Sequence, residues 1–383
     1  MKHGKIFVVF SDTGSGHRTA ADAINSAIAE VSPQRGHEAP EVVVQDIIES
    51  SNAINRLFTH TYNRLLKEHQ DWMKYYSALI EWVKPNESEL AYRLSKDYTA
   101  KVIQEINPAV IVSVHPMVNH FLARTLKDMG LLRKTKLVVV LTDPNNNLWT
   151  GWACPDADLT IAPNDLARDQ LIAFGLDPAA IKVIGMPIPP QFLKPPSKSR
   201  DDLLMRMGFD PNELTIAISA GSAGGGNMPK IYKALQHLSK PVQIIFTCGK
   251  NAKLREEMQL ASQQSRNPTI VLPYTTRVAD GMNACDLLVT KAGGLTTFEA
   301  IARRLPMALD MITEPMPQEY GTAEMLIEAG LAKSIKQPED IVPIVEELRS
   351  KYPKRTMRLP KVHNLDHIDA VYEIAHHILD FAN

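Results

Sequence analysis

Eleven short apolar runs, most of them followed by a helical stretch, constrain this chain more than any other feature. Six come first: KIFVVF (5–10), EVVVQDI (41–47), AVIVSVH (109–115), KLVVVLTD (136–143), DLTIAP (158–163) and IKVIGMP (181–187). Runs this short and this rich in Val and Ile suit strands covered on both faces, with the intervening helices as the cover. The stretch PIPPQFLKPPSKSRDD (187–202) then breaks the rhythm, because its five prolines can continue neither a helix nor a central strand. The rhythm resumes with LTIAISAG (214–221), QIIFTCG (243–249), TIVLP (269–273), DLLVTKAG (286–293) and MALDM (307–311). The pattern predicts an α/β chain of two Rossmann-like domains facing a central cleft. The expected division is a first domain over 1–190, a linker over 191–202 and a second domain over 203–360. A final helical stretch over 361–383 is expected to pack back on the first domain.

Composition removes several function classes. The 42 Lys and Arg balance 43 Asp and Glu, for a net charge of -1, which argues against a nucleic-acid partner held by bulk charge. Three scattered cysteines without a C-x-x-C exclude a disulfide scaffold and a structural zinc site. No apolar run approaches the roughly 18–20 residues of a membrane span. The opening MKHGKIFVVFSDTG lacks the long apolar part and small-residue cleavage site of a signal peptide. The expectation is a cytoplasmic protein. Residues 53–84 are helical in pattern and hold Trp72 and Trp82 with Phe58, Tyr62, Tyr75 and Tyr76. They read as core packing or, alternatively, as an apolar acceptor site or interfacial anchor.

Ligands of open α/β sheets gather at the carboxyl ends of strands, and three loops there carry chemistry. SDTGSGHRTA (11–20) places Gly14 and Gly16 in a tight turn and His17 near the start of the next helix. A histidine there suits a general base, and an ordinary βα turn would carry one too. The spacing is not G-x-G-x-x-G, so no dinucleotide fingerprint is present. SAGSAGGG (219–226) offers backbone amides to an anion, with a helix dipole behind, but lacks the Walker ending. KAGGLTTFEA (291–300) puts two glycines before a helix, with Glu299 expected in its first turn as a dipole partner or a binder of a ribose diol. Gln318 and Glu319 are expected in a loop after the last of these strands, where such a pair can read sugar hydroxyls. No group of residues has metal-ligand spacing, and Asp156 and Asp158 read as the start of a strand.

The ordered set of SDTGSGHR, VSVHP (112–116), LTD (141–143), GMPI (185–188), SAGSAGGG, KAGGLTTFEA and PQE (317–319) resembles the monogalactosyldiacylglycerol synthase and processive diacylglycerol glucosyltransferase family. It is more distantly similar to the glycosyltransferase that makes lipid II. The resemblance spans roughly residues 5–345 and implies a GT-B fold. It also implies a metal-independent, inverting hexosyltransferase without a cofactor, moving a sugar from a UDP-sugar to a lipid hydroxyl such as that of diacylglycerol. By the same resemblance His17 is the base, and Gly14, Gly16, His115 and Asp143 lie on the acceptor side. Gly221, Ser222, Gly224, Gly293, Gly294 and Thr296 would hold the diphosphate, Glu299 the ribose, and Gln318 and Glu319 the sugar. The partners implied are a nucleotide sugar and a lipid acceptor, with peripheral contact at the inner face of the cell membrane. One departure is plain: relatives carry a His and a Trp after the TD motif, whereas TDPNNNLWTGW (142–152) has Trp149 and no His. Three alternatives stay open on the residues: transfer to a soluble acceptor, epimerisation of a UDP-sugar, and binding of a nucleotide sugar without turnover.

Overall fold

The computed structural model describes residues 4–11, 13, 15–36, 38–51, 53–68, 72, 88–351, 358–359, 365 and 369–382. Among them, the first six strands are β1 (Ile6–Phe10), β2 (Val42–Asp46), β3 (Val110–Ser113), β4 (Lys136–Val140), β5 (Leu159–Ala162) and β6 (Ile181–Val183). They form one parallel sheet in the order β2-β1-β3-β4-β5-β6. The second parallel sheet holds β7 (Thr215–Ser219), β8 (Gln243–Thr247), β9 (Thr269–Leu272), β10 (Leu287–Thr290), β11 (Met307–Asp310) and β12 (Ala332–Ile335), in the order β12-β11-β10-β7-β8-β9. In each sheet the winding direction reverses once, between β1 and β3 and between β7 and β10. Those reversals leave a crevice where neighbouring loops turn to opposite faces.

The chain divides into two compact units, one built on each sheet. In the first, Phe7, Ile111, Leu137 and Val139 pack against Leu122 and Leu126 of the helix Asn119–Asp128. The C-terminal helix Ala370–Phe381 belongs to this unit and lies on the helix Gly16–Gln34. Tyr372 donates to Glu30 at 2.9 Å and Arg35 pairs with Asp380 at 2.6 Å. In the second unit, Ile216, Ile218, Ile244 and Phe246 meet Met228, Ile231 and Leu235 on one face, and Ile245 meets Leu203, Leu204 and Phe209 on the other.

Three points differ from the sequence reading or fall outside the description. β12 (AKSI) was not foreseen: it is short, lies at the sheet edge and exposes Lys333, so it lacks the apolar run of a central strand. The helix Arg200–Arg206 begins inside the proline-rich stretch, because the Ser199 hydroxyl caps it by accepting from the Asp202 amide, with Asp201 and Asp202 in its first turn. Of the aromatic stretch 53–84, the helix Ala53–Glu68 and Trp72 are described, and Trp72 is 60% exposed. The remainder, with Tyr75, Tyr76 and Trp82, lies outside the described residues. Among the described residues no helix is long and apolar enough to cross a membrane.

One buried ion pair ties the proline-rich stretch to the second sheet. Arg200 meets Asp286 at 2.7 Å, with only 10% and 4% of the side chains exposed, and the same carboxylate oxygen accepts from the Thr215 amide at 2.9 Å. Removing one partner strands the other charge away from water. Asp286→Ala is therefore expected to lower the free energy of unfolding by about 3–5 kcal/mol in chemical denaturation, with the companion change Arg200→Met recovering part of the loss.

Candidate functional site

In the first unit, three elements bring polar side chains to the reversal between β1 and β3. His17 is the second residue of the helix Gly16–Gln34, which follows β1. Its Nδ1 lies 2.8 Å from the Val114 carbonyl oxygen, just beyond β3. A carbonyl only accepts, so Nδ1 carries the proton and Nε2 keeps its lone pair. Thr142 Oγ1, after β4, is 3.2 Å from the same nitrogen. His115 is 4% exposed and stands edge-on to His17, ring centroids 4.2 Å apart. Its Nδ1 accepts from the Met117 amide at 3.2 Å, so Nε2–H donates to Thr13 Oγ1 at 2.7 Å. Both nitrogens of His115 are engaged, which leaves it no lone pair for catalysis.

Burial holds both histidines neutral. It brings His17 down to about 4, and it takes His115 well below its ordinary value, with His17 adding to the effect. Burial acts oppositely on Asp143, which it pushes up to about 6, against a hydrogen bond from Trp152 Nε1 at 2.7 Å. Gly16 has nothing within 4 Å of where a Cβ would stand, so its glycine is not required by crowding. Gly14 lies outside the described residues.

In the second unit, the loops after β7 and β10 flank the other reversal. Gly221 and Gly224 have φ of +69° each, a region where only glycine is unstrained. A Cβ on Gly224 would collide with the Cys248 carbonyl, and one on Gly249 with the carbonyls of Gly221 and Ser222. The Lys250 amide donates to the Ser222 oxygen at 2.7 Å, and Asn251 Nδ2 to the Gly224 oxygen at 2.7 Å. The carbonyls of this loop therefore turn toward the chain after β8. The helix behind it, Met228–Ala234, has only seven residues, and Asp310 takes its cap, accepting from the Asn227 amide at 3.1 Å. A carboxylate there offsets the dipole, so the expected helix contribution to anion binding falls to the loop amides instead.

The loop after β10 behaves differently. Gly293 is the N-cap of the helix Gly294–Ala302, and nothing lies within 4 Å of a Cβ on it. The amides of Gly294, Leu295 and Thr296 belong to the first turn, where no helical carbonyl reaches them. Because the glycines themselves start the helix, Glu299 is its sixth residue and lies in the second turn, not the first. It is 7% exposed, and burial alone pushes its carboxyl up to about 8. Gln318 and Glu319 also sit otherwise than expected: Pro317 opens the helix Pro317–Glu328, so both are in its first turn rather than in a loop. β11, which precedes them, neighbours β10. A cavity of about 460 Å³ lies by the helices Arg200–Arg206 and Val278–Ala284, lined by Leu203, Met207, Ile245 and Met282 and reaching Ser219 and Thr247 at the ends of β7 and β8; no glycine of the first loop lines it.

Sequence reasoning missed Thr13, Thr142, Trp152, Asn227 and Asp310. The WTGW turn after TD was a usable signal for Trp152, since a tryptophan in a glycine turn close to a carboxylate has a donor to place. Nothing in the sequence links Asn227 to Asp310, 83 residues apart. Asp158 serves the start of β5, accepting from the Leu137 amide at 2.9 Å and pairing with Lys136 at 2.7 Å. Among the described residues no group of His, Cys, Asp and Glu could hold a metal ion.

Two family models match the chain: monogalactosyldiacylglycerol (MGDG) synthase over residues 17–188, and the glycosyltransferase family 28 C-terminal domain over 215–355. A probable monogalactosyldiacylglycerol synthase, chloroplastic, of Glycine max is 30% identical, over 98% of this chain and 71% of its own length. A counterpart from Nicotiana tabacum is 31% identical, over 97% and 70%. Monogalactosyldiacylglycerol synthase 1, chloroplastic, of Arabidopsis thaliana is 30% identical, over 90% and 64%. Among solved structures, Acinetobacter baumannii MurG shares the fold at TM-score 0.56 and 16% identity, covering 100% of this chain and 99% of its own. Anabaena Alr3699/HepE in complex with UDP-glucose does so at 0.54 and 15%, covering 99% and 97%.

The raised carboxyl of Glu299 has a signed consequence. Between its ordinary value of 4.5 and about 8, the unfolded chain has lost a proton that the folded chain keeps. Folding stability therefore falls as pH rises through that window, by up to about 1.4 kcal/mol per pH unit. Thermal unfolding of wild type is expected to shift downward between pH 6.5 and pH 8, above the range in which the neutral His17 and His115 act in the opposite direction. Glu299→Gln, neutral throughout, should lose most of that slope; an unchanged slope would place the effect elsewhere.

Proposed function

Because the chain belongs to the monogalactosyldiacylglycerol synthase family, we propose that it is an inverting glycosyltransferase that moves a hexose from a UDP-sugar to the hydroxyl of diacylglycerol. The names of its relatives carry galactose as that hexose. The observation that carries this reading is the pair of glycine loops, Gly221–Gly224 and Gly293–Thr296, on either side of the reversal in the second sheet. When the sugar leaves, negative charge grows on the diphosphate, and backbone amides fixed in advance stabilise it without a metal or other cofactor. Glu299 stands in the second turn of the helix Gly294–Ala302, where a ribose diol can meet a carboxyl. Gln318 and Glu319, at the start of the helix after β11, are placed to meet sugar hydroxyls.

The first unit then receives the acceptor. Its neutral histidines and the Asp143 carboxyl suit a hydroxyl more than a charged group, and an uncharged lipid alcohol fits that chemistry. A lipid acceptor implies work at a membrane surface, and the reading places the enzyme peripherally at the inner face of the cell membrane.

Incubation with UDP-galactose and with UDP-glucose, with and without vesicles containing diacylglycerol, tests the proposal. Release of UDP is expected only with diacylglycerol, with a monoglycosyl lipid as product. Equal release without lipid, accompanied by epimerised sugar, or tight binding with no turnover, contradicts it.

A further inference from the structure

The glycine loop after β7 is pinned in two places. Its front half, Ser222 and Gly224, meets Lys250 and Asn251 after β8. Asn227, which follows its last glycine, reaches the other way, to Asp310 at the end of β11. β10 lies between β7 and β11 in the sheet, so this second pin spans a strand. We propose that Asn227 and Asp310 are positioning residues for the donor: their contact sets the spacing between the loop that takes the diphosphate and the segment that reads the sugar, and so governs how tightly the sugar is held. The proposal rests on the donor half of the transferase reading above and deepens it.

The contact is buried and directional. Asn227 is 5% exposed and Asp310 6%. The Asn227 amide donates to Asp310 Oδ2 at 3.1 Å. Asn227 Nδ2 carries two protons. One is shared by the two carboxylate oxygens, at 3.2 and 3.3 Å, and the other goes to Thr313 Oγ1 at 3.0 Å. Asn227 Oδ1 accepts from the Lys230 ammonium at 3.2 Å, so donors and acceptors on both sides agree on which way round the amide lies. Asp310 Oδ1 also accepts from the Ile312 amide at 3.2 Å. Sliding either segment would leave buried donors without acceptors, and a network satisfied in this way holds one arrangement. Apolar contact in the same place would cover the surface without fixing a direction.

The two segments joined here carry the two halves of the donor. Gly221–Gly226 precede Asn227 directly, and their amides are offered to the diphosphate. Only Glu314, Pro315 and Met316 separate Thr313 from Pro317, which opens the helix with Gln318 and Glu319 in its first turn. Two prolines in so short a connection leave it little slack, so a shift at Thr313 is passed on to Gln318. A hexose is joined to its diphosphate through one bridging oxygen, and a UDP-sugar must therefore satisfy both segments at a single spacing. UDP alone meets only the first.

Equilibrium binding of UDP, UDP-galactose and UDP-glucose to the intact chain, by titration calorimetry, tests the assignment. Asp310→Asn keeps the shape of the side chain but turns an amide donor toward the donors of Asn227. It is expected to weaken the preferred UDP-sugar about tenfold relative to UDP, whose own affinity stays within about threefold of wild type. Adding Asn227→Asp reverses donor and acceptor across the same contact and is expected to restore most of that ratio. Thr313→Val removes one acceptor of Asn227 Nδ2 at the rim of the contact. It should shift the ratio the same way by about threefold, and it decides the matter where Asp310→Asn does not fold. Retained UDP binding shows that a variant is folded. Equal weakening of UDP and UDP-sugar, no weakening of either, or a double exchange that binds UDP and recovers nothing overturns the assignment. A wild type that binds neither UDP-sugar overturns it too. A shifted ratio without lipid-dependent turnover in wild type contradicts the transfer step alone and leaves the positioning role standing.

Discussion

Parallel strand pairing is the constraint on which the rest depends. Every strand of a parallel sheet presents its carboxyl end to the same edge, so each loop that leaves a strand arrives at one side of the sheet. A single reversal of winding then parts two adjacent loops. In the first unit those loops follow β1 and β3 and bring His17 to the Val114 carbonyl and beside His115. In the second they follow β7 and β10 and carry the two groups of glycines. One topological rule, applied twice, produces two sites of opposite chemical character.

The difference between them lies in what fills the crevice. In the second unit backbone does: Gly224 and Gly249 let the loops after β7 and β8 interlock, and Gly293 opens a helix whose first amides have no helical partner. Oriented amides carry partial positive charge at a fixed place, which suits a phosphate. In the first unit side chains fill the crevice, and burial rather than ion pairing sets their charge. His17 and His115 stay neutral, and Asp143 titrates closer to neutrality. A site of that kind can move a proton without holding a strong charge.

Much of this was legible in the sequence, and the parts that were not share a cause. Central strands such as IFVVF and LLVT announce themselves because both faces are buried and all positions but Thr290 are apolar. The edge strand β12 gives no such signal, since one side of it needs no cover. The glycine loops were legible because glycine marks backbone geometry directly. Helix starts were not: two glycines and one proline extend helices backward, and so Glu299 moves into a second turn and Gln318 and Glu319 into a first. The contacts that give the first site its chemistry, Trp152 to Asp143 and His17 to Val114, depend on which strands become neighbours. Local pattern does not encode that. The family resemblance supplied His17, His115 and Asp143 as a set, and the geometry separates their capacities by showing which ring nitrogens are already engaged.

Amide hydrogen exchange of the intact chain, with and without saturating UDP, tests the central division of labour most directly. Slower exchange is expected at the amides of Gly221–Gly226 and Gly294–Thr297, with those around His17 and His115 unchanged. Protection confined to the first unit, or none at either glycine loop, would contradict the account.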